Sequence, residues 1–300
     1  MHIWNNQLEN LKCGDFRAIA RIISLVENEA TGYESFMRKL PTSSAKIIGI
    51  TGAPGSGKSS ITDALIGEMI KDGKKVGILC VDPSSPFNRG ALLGDRIRMT
   101  EWYTNADVFI RSLASKGSLG GLHPKIMEIS DVMKAAGFDY IIIETVGVGQ
   151  SEVDIAALAD VTVVVLVPES GDMIQTMKAG LMEVADIFVI NKYDRPDADS
   201  FYNSLAQMLA PVFSRSEKKI PILKTIALQK KGIDDLYRKI AEHNPDLHIK
   251  KKAELLFQKA WSIIRESKMK NIDVKKLKKE LSSAILRSDF NIYEFAKRYY

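Results

Sequence analysis

The sequence is poor in the features that announce a secreted, metal-storing or membrane-spanning protein. Cysteine occurs only twice, as Cys13 and Cys80, with no Cys-x-x-Cys pair. Neither a disulfide framework nor a thiolate metal store is indicated, and both thiols read as buried or inert. Histidine occurs four times, and His2, His123, His243 and His248 are too scattered to form a metal-holding tract. The chain also lacks an uninterrupted apolar run of the roughly eighteen residues that a membrane helix needs. Its opening, "MHIWNNQLENLKCGDF", has neither the basic start nor the apolar centre of a signal peptide, so a cytoplasmic location without membrane attachment is expected.

Acidic charge is scarce in one region. The 300 residues carry 42 Lys and Arg against 37 Asp and Glu, a formal net charge of +5. From Asp246 onward fourteen basic side chains face seven acidic ones, so the basic excess lies in the tail. Hydrophobic residues make up 45% of the chain, ample for one large domain or a core domain with extensions.

From Met1 to about Pro41, Leu8, Leu11, Phe16, Ile19, Ile22, Ile23 and Val26 recur at intervals of three or four, which predicts one or two amphipathic helices. After "PTSSAK" come the runs "KIIGI", "KVGILCV", "ADVFIRS", "YIIIET", "VTVVVLV", "DIFVIN" and "PILKT", rich in branched residues and separated by helix-length segments. Near-continuous apolar strands alternating with helices predict an α/β fold with a mostly parallel sheet covered on both faces. Past Asn244-Pro245 the strands stop, and "AELLFQKAWSIIRES", "VKKLKKELSSAIL" and "NIYEFAKRYY" read as helices with basic outer faces. The expected organisation is a helical arm over 1–42, a P-loop domain over 43–244 and a helical extension over 245–300.

The first chemistry-bearing stretch is Gly52-Ala53-Pro54-Gly55-Ser56-Gly57-Lys58-Ser59, followed by Ser60, which leaves a strand and opens a helix. In that context G-x-x-x-x-G-K-[ST] is a phosphate cradle, with backbone N–H groups wrapping phosphates at the positive end of a helix. Lys58 is expected to reach the β- and γ-phosphates, and the Ser59 hydroxyl to take one position on Mg²⁺.

The base is read further on. Asn191-Lys192-Tyr193-Asp194 follows the sixth strand, at a carboxyl end where open α/β sheets bind ligands. A carboxylate there accepts both N–H groups on the Watson–Crick edge of guanine, whereas adenine would leave it facing an acceptor. The nucleotide is therefore expected to be GTP or GDP. In "KTIAL", the backbone N–H near Ala227 is expected to donate to the guanine carbonyl oxygen.

Two segments are placed to sense the γ-phosphate. "VDPSSPFNRGALLGDRIRM" brings Asp82 and Asp95, for water positioning or for Mg²⁺, directly or through a water. "IIIETVGVGQSE" ends a strand at Glu144, with the Gly147 N–H three residues on. Val148 stands where the water-orienting glutamine of Ras-like proteins would follow, so hydrolysis is expected to be slow until a partner supplies or positions a group. Arg96, Arg98 and Arg111 are charge donors to weigh against plain surface ion pairs.

The runs "VDPSSPF", "LLGDRIRM", "FIRSLASKGSLGGL", "ETVGVGQSE" and "GDMIQTMKAGLMEVADIFVINKYD" resemble the MeaB/ArgK/MMAA family of G-proteins, from about Lys46 to His243. That family is associated with methylmalonyl-CoA mutase and related cobalamin-dependent acyl-CoA mutases. The resemblance implies a GTPase chaperone that gates cobalamin delivery to the mutase, protects it and ejects damaged cofactor, with cobalamin held only by the client. It puts Lys58 and Ser59 in the phosphate loop, Asp82 and Asp95 in the magnesium and hydrolysis region, and Glu144 in the second switch with Gly147. It makes Asn191, Lys192 and Asp194 the base motif, and matches Asp172, Gln175 and Lys178 to a third switch that contacts the mutase. Met173 stands where the family carries an acidic residue. The resemblance also implies homodimerisation through the C-terminal helices.

Three rival readings remain. A metal-inserting GTPase shares the fold but usually carries the metal-holding tract this chain lacks. A protein kinase linked to basic amino-acid transport would need an acceptor-binding motif beyond the nucleotide site. Nucleic-acid binding by the basic tail is weakened by scarce arginine and thin aromatic interleaving, and such spacing more often marks the solvated face of a packed or dimerising helix.

Overall fold

The computed structural model describes residues 2–4, 6–82, 96–114, 122–145, 151–170, 184–215, 220–243, 272–285 and 291–299, with scattered positions between 253 and 269. The chain divides into two compact units, residues 1–248 and 249–300.

The first unit is built on a seven-stranded sheet in which every pairing is parallel. Its strands are β1 (Lys46–Thr51), β2 (Val76–Asp82), β3 (Val108–Ala114), β4 (Tyr140–Glu144), β5 (Val161–Leu166), β6 (Ile187–Ile190) and β7 (Ile222–Lys224). They follow the seven predicted runs and stand in the order β3-β2-β4-β1-β5-β6-β7. The strand β1 therefore lies between β4 and β5, where successive connections leave in opposite directions and a crevice opens at the carboxyl ends.

Eight helices of this unit are α1 (Gln7–Lys12), α2 (Phe16–Glu27), α3 (Tyr33–Met37), α4 (Lys58–Lys71), α5 (Ile126–Ala135), α6 (Ser151–Leu158), α7 (Ala198–Arg215) and α8 (Ile233–Glu242). The period of two along each strand sends alternate side chains to opposite faces. Ile47, Leu79, Val81, Ile141 and Ile143 pack beneath α1, α2, α5 and α6. Ile48, Ile50, Val76, Ile78 and Ile142 pack beneath α4 and α8. All six residues of β5 are buried, as a strand covered on both sides requires.

The amino-terminal helices are part of this core. In α2, Ala18, Ile19, Ile22, Ile23 and Val26 are buried at helical spacing, and Asp15 caps the start by accepting from the Arg17 N–H at 2.8 Å. Each fully buried isoleucine contributes roughly 1.5–3 kcal/mol, which fixes the arm against the sheet. Arg111 on β3 donates to Glu27 at 2.7 Å and to the Ser24 hydroxyl at 3.0 Å, both on α2.

The second unit contains α9 (Val274–Ala284) and α10 (Ile292–Ala296), the latter capped by Asn291, whose Oδ1 accepts from the Tyr293 and Glu294 N–H groups. Phe257, Trp261 and Ile264 are exposed. Among the described residues no helix is long and apolar enough to cross a membrane.

Candidate nucleotide site

The loop between β1 and α4 carries the phosphate motif. Gly52 and Gly57 have φ of 140° and 89°, in the left-handed region. Close approach excludes a side chain at both. A Cβ on Gly52 would lie 2.1 Å from the Val165 carbonyl oxygen, and one on Gly57 2.3 Å from Asn191 Nδ2. Gly57 also caps α4 without any side-chain hydrogen bond to the helix end, which leaves the first turn to donate to an anion. Pro54 and Gly55 form the exposed tip, Ser56 and Ser59 are buried, and Ala53 and Ser60 are half-buried.

Lys58 is buried, and its ammonium donates to the carbonyls of Gly52 at 2.9 Å and Ala53 at 3.1 Å. It thus lies folded over the loop whose phosphates it is expected to meet. Glu144 ends β4, paired in register with Ile50 of β1, and is buried. Its Oε1 accepts from the Ser59 hydroxyl at 2.6 Å and its Oε2 from the Thr62 hydroxyl at 2.9 Å. A buried hydroxyl and carboxylate in contact form a hard oxygen donor pair that suits Mg²⁺ sharing its remaining positions with phosphate and water. Beside them the Thr145 hydroxyl donates to that of Thr51 at 3.0 Å.

The base motif begins where β6 ends. Asn191 is buried at 3% exposure, and its Nδ2 donates to the Ser56 carbonyl at 3.0 Å. Its Oδ1 accepts from the Thr225 hydroxyl at 3.2 Å and the Ala227 N–H at 3.1 Å. The donor expected to serve the guanine carbonyl oxygen is therefore engaged by Asn191, and Ala227 itself is buried. Lys192, at φ 56°, turns the chain so that Asp194 stands exposed at the strand end. Tyr193 anchors the turn. Its hydroxyl donates to Asp199 at 2.5 Å, and Lys224 lies 4.5 Å from the Tyr193 ring centre and 4.5 Å from that of Tyr202. The Tyr193 hydrogen bond, with Lys224 next, holds the Asp199 carboxyl below its ordinary value. Burial, with the Asp199 bond next, pushes the Tyr193 hydroxyl up.

With this geometry in place, the family model described as methylmalonyl Co-A mutase-associated GTPase MeaB matches residues 19–280. The chain belongs to the MeaB family. A Pyrococcus horikoshii relative is 44% identical over 302 residues, covering 96% of this chain and 95% of its own. The GTPase ArgK of Escherichia coli is 34% identical over 247 residues, 78% of this chain and 74% of ArgK. A fused isobutyryl-CoA mutase of Geobacillus kaustophilus is 38% identical over 239 residues, 75% of this chain but 22% of that protein. Among solved structures, a LAO/AO transport system kinase covers 99% of this chain and 96% of its own at 24% identity, with a TM-score of 0.64. That likeness shows a shared P-loop fold.

For this MeaB-family chain the structure joins Ser59 to Glu144, holds Lys58 against the Gly52 and Ala53 carbonyls, and separately joins Ser56 to Asn191. The side chains of Asp82, Arg96 and Arg98, and the whole of Asp95, Gly147, Val148, Asp172, Met173, Gln175 and Lys178, lie outside the described residues. Arg111, weighed as a charge donor, is bonded to α2. Sequence reading missed Thr62 and Thr225. Thr62 follows Ser59 by three on one helix face, a signal that was available; Thr225 directly follows β7, with only its place just past a strand end to mark it.

Proposed function

We propose that this chain binds and hydrolyses GTP, and that it acts as a chaperone gating cobalamin loading and protection of a methylmalonyl-CoA-mutase-type enzyme. The observation that carries the nucleotide part is the Asn191 junction, which fixes the base motif to the phosphate loop through the Ser56 carbonyl. A ligand that spans both, with phosphates on the α4 N-terminus and a base facing Asp194, is a guanine nucleotide. Lys58 would leave the Gly52 and Ala53 carbonyls for the β- and γ-phosphates. Ser59 and Glu144 would hold Mg²⁺ with Asp82 and Asp95, and the cation supplies charge neutralisation for the phosphates. Gly147 would meet the γ-phosphate through its N–H. Ala227 would offer its backbone at the base edge, sharing its N–H with Asn191.

The mutase part is supported by the family's association with methylmalonyl-CoA mutase and by the fused isobutyryl-CoA mutase that contains a similar segment. Asp172, Gln175 and Lys178 would form the surface that the client reads. Linkage then requires the client to shift nucleotide affinity by the factor by which nucleotide shifts client affinity. The exposed Phe257, Trp261 and Ile264 support pairing of two chains through the 245–300 extension, and a cytoplasmic setting fits this role.

The deciding experiment measures phosphate release from GTP by the chain alone and with a cobalamin-dependent acyl-CoA mutase plus cobalamin. A slow basal rate raised many-fold by the mutase is the expected result. Intact GTP binding without stimulation by any such mutase would leave the guanine site and remove the client.

A further inference from the structure

Each oxygen of the Glu144 carboxylate receives a different hydroxyl, Ser59 at 2.6 Å and Thr62 at 2.9 Å. The Ser59 contact belongs to the phosphate loop, whereas Thr62 lies outside that motif, nearly a turn further along α4 and fully buried. The Thr62 hydroxyl has one hydrogen and two acceptors in range, the second being the Lys58 carbonyl at 3.0 Å. An ionised carboxylate is the stronger acceptor, so the hydrogen goes to Glu144. The Lys58 carbonyl, four residues back, is the ordinary helical fallback for threonine. Thr62 can therefore release Glu144 without stranding its own donor.

We propose that Thr62 is a positioning residue for the divalent-cation site. A carboxyl group anchored through one oxygen turns about a broad terminal torsion, and a second anchor removes that freedom. With Oε2 held by Thr62, Oε1 stays in place to accept the Ser59 O–H, and that bond turns the Ser59 lone pairs away from Glu144 and toward the cation. Ser59 and Glu144 would then stay aligned as the pair that holds the cation, and Thr62 acts through Glu144. Outer partners of this kind change metal affinity by about 10–100-fold when removed. The inference rests on the Mg²⁺–guanine nucleotide reading above.

The test follows release of a fluorescent GDP analogue from the full chain across a MgCl₂ titration. Thr62→Val and Thr62→Ala both delete the hydroxyl, and the smaller alanine keeps the test open if valine does not fold. Both are expected to raise the Mg²⁺ concentration for half-maximal nucleotide retention about tenfold. Release in excess EDTA should match the parent, and Thr62→Ser should restore the parent's midpoint. A merely structural threonine would lower thermal stability without moving that midpoint. An unchanged midpoint in the two deletion variants, or a Thr62→Ser midpoint displaced as far as theirs, overturns the role of Thr62 alone. A parent chain that shows no Mg²⁺-dependent retention of guanine nucleotide overturns the nucleotide reading and this inference with it.

Discussion

The side-chain amide of Asn191 donates to the Ser56 carbonyl at 3.0 Å, joining the end of β6 to the phosphate loop across 135 positions of sequence. Through its oxygen the same side chain holds Thr225 and Ala227 at the end of β7. One buried residue thus sets the phosphate loop and two base-side segments in a fixed relation. Hydrogen bonds chained in this way strengthen one another in a low-dielectric interior. The Ser56 carbonyl and the Thr225–Ala227 segment are consequently held in one geometry.

Gly57→Ala tests that junction. The added methyl carbon would stand 2.3 Å from Asn191 Nδ2, on a backbone at φ 89°. The left-handed conformation alone costs roughly 1–2 kcal/mol. Displacing Asn191 strands the Ser56 carbonyl at a further cost of about 1–3 kcal/mol. The expected result is a lowered melting temperature together with GDP affinity reduced by on the order of a hundredfold, read by thermal unfolding and fluorescent-nucleotide titration. Normal affinity in the variant would show that the junction does not shape the site.

The sheet is legible in the sequence because a parallel strand buried on both faces has no polar face to interrupt it. "VTVVVL" reads as a strand for that reason, and all six residues of β5 are buried. The phosphate loop is legible because its glycines, lysine and serine are local in sequence. Asn191 is visible as part of a tetrapeptide, but its partners Ser56 and Thr225 lie on other segments and no periodicity announces them. Arg111 illustrates the same limit. A lone arginine in a strand invites a catalytic reading, while Glu27, 84 positions earlier, is the partner that holds it. Ser24 and Glu27 sit three apart beside the apolar stripe of α2, and attention to apolar spacing alone passes over them.

Asp194→Asn should change the preferred base. The exposed carboxylate offers two acceptors to the two N–H groups of guanine, whereas the amide offers one acceptor and one donor. Losing one charge-assisted bond and facing a donor with a donor costs about 3 kcal/mol, on the order of a hundredfold in GTP affinity. The amide matches the N–H and carbonyl of xanthine, so affinity for XTP should rise in the same variant. Competition titrations with GTP and XTP check both signs, and a variant that keeps the parent's order of preference removes Asp194 from base reading.

Lys58→Ala should separate folding from turnover. The ammonium donates to the Gly52 and Ala53 carbonyls. The Gly52 contact is buried and the Ala53 contact part-buried, next to the exposed tip at Pro54 and Gly55. The variant should therefore stay folded, with a stability change of about 1–2 kcal/mol. Phosphate release under single-turnover conditions should fall below detection, because no other described cation occupies the loop. Turnover at the parent's rate would remove Lys58 from catalysis.

Glu27→Gln probes the clasp between the amino-terminal arm and the sheet. Glu27 accepts from Arg111 at 2.7 Å, and His123 Nε2 lies 3.7 Å from its other oxygen. His123 is itself buried, and its Nδ1 accepts from the Lys125 N–H at 3.1 Å, which leaves Nε2 as the ring's protonated nitrogen facing Glu27. Glutamine keeps the size but removes the charge, leaving the Arg111 guanidinium, 26% exposed, without its counterion. Breaking a largely buried pair by removing one partner costs up to about 3–5 kcal/mol, and partial exposure brings the expectation here to about 1–3 kcal/mol. Since α2 shares one core with the strands, the urea midpoint should fall in a single transition with an unchanged slope. Arg111→Met combined with Glu27→Gln should recover part of the loss, the interaction that a double-mutant cycle isolates. GDP affinity should be unaffected, because the clasp shares no residue with the nucleotide site. Should Glu27→Gln instead alter GTP hydrolysis at parental stability, Arg111 returns to the role of charge donor and the clasp becomes part of the switch.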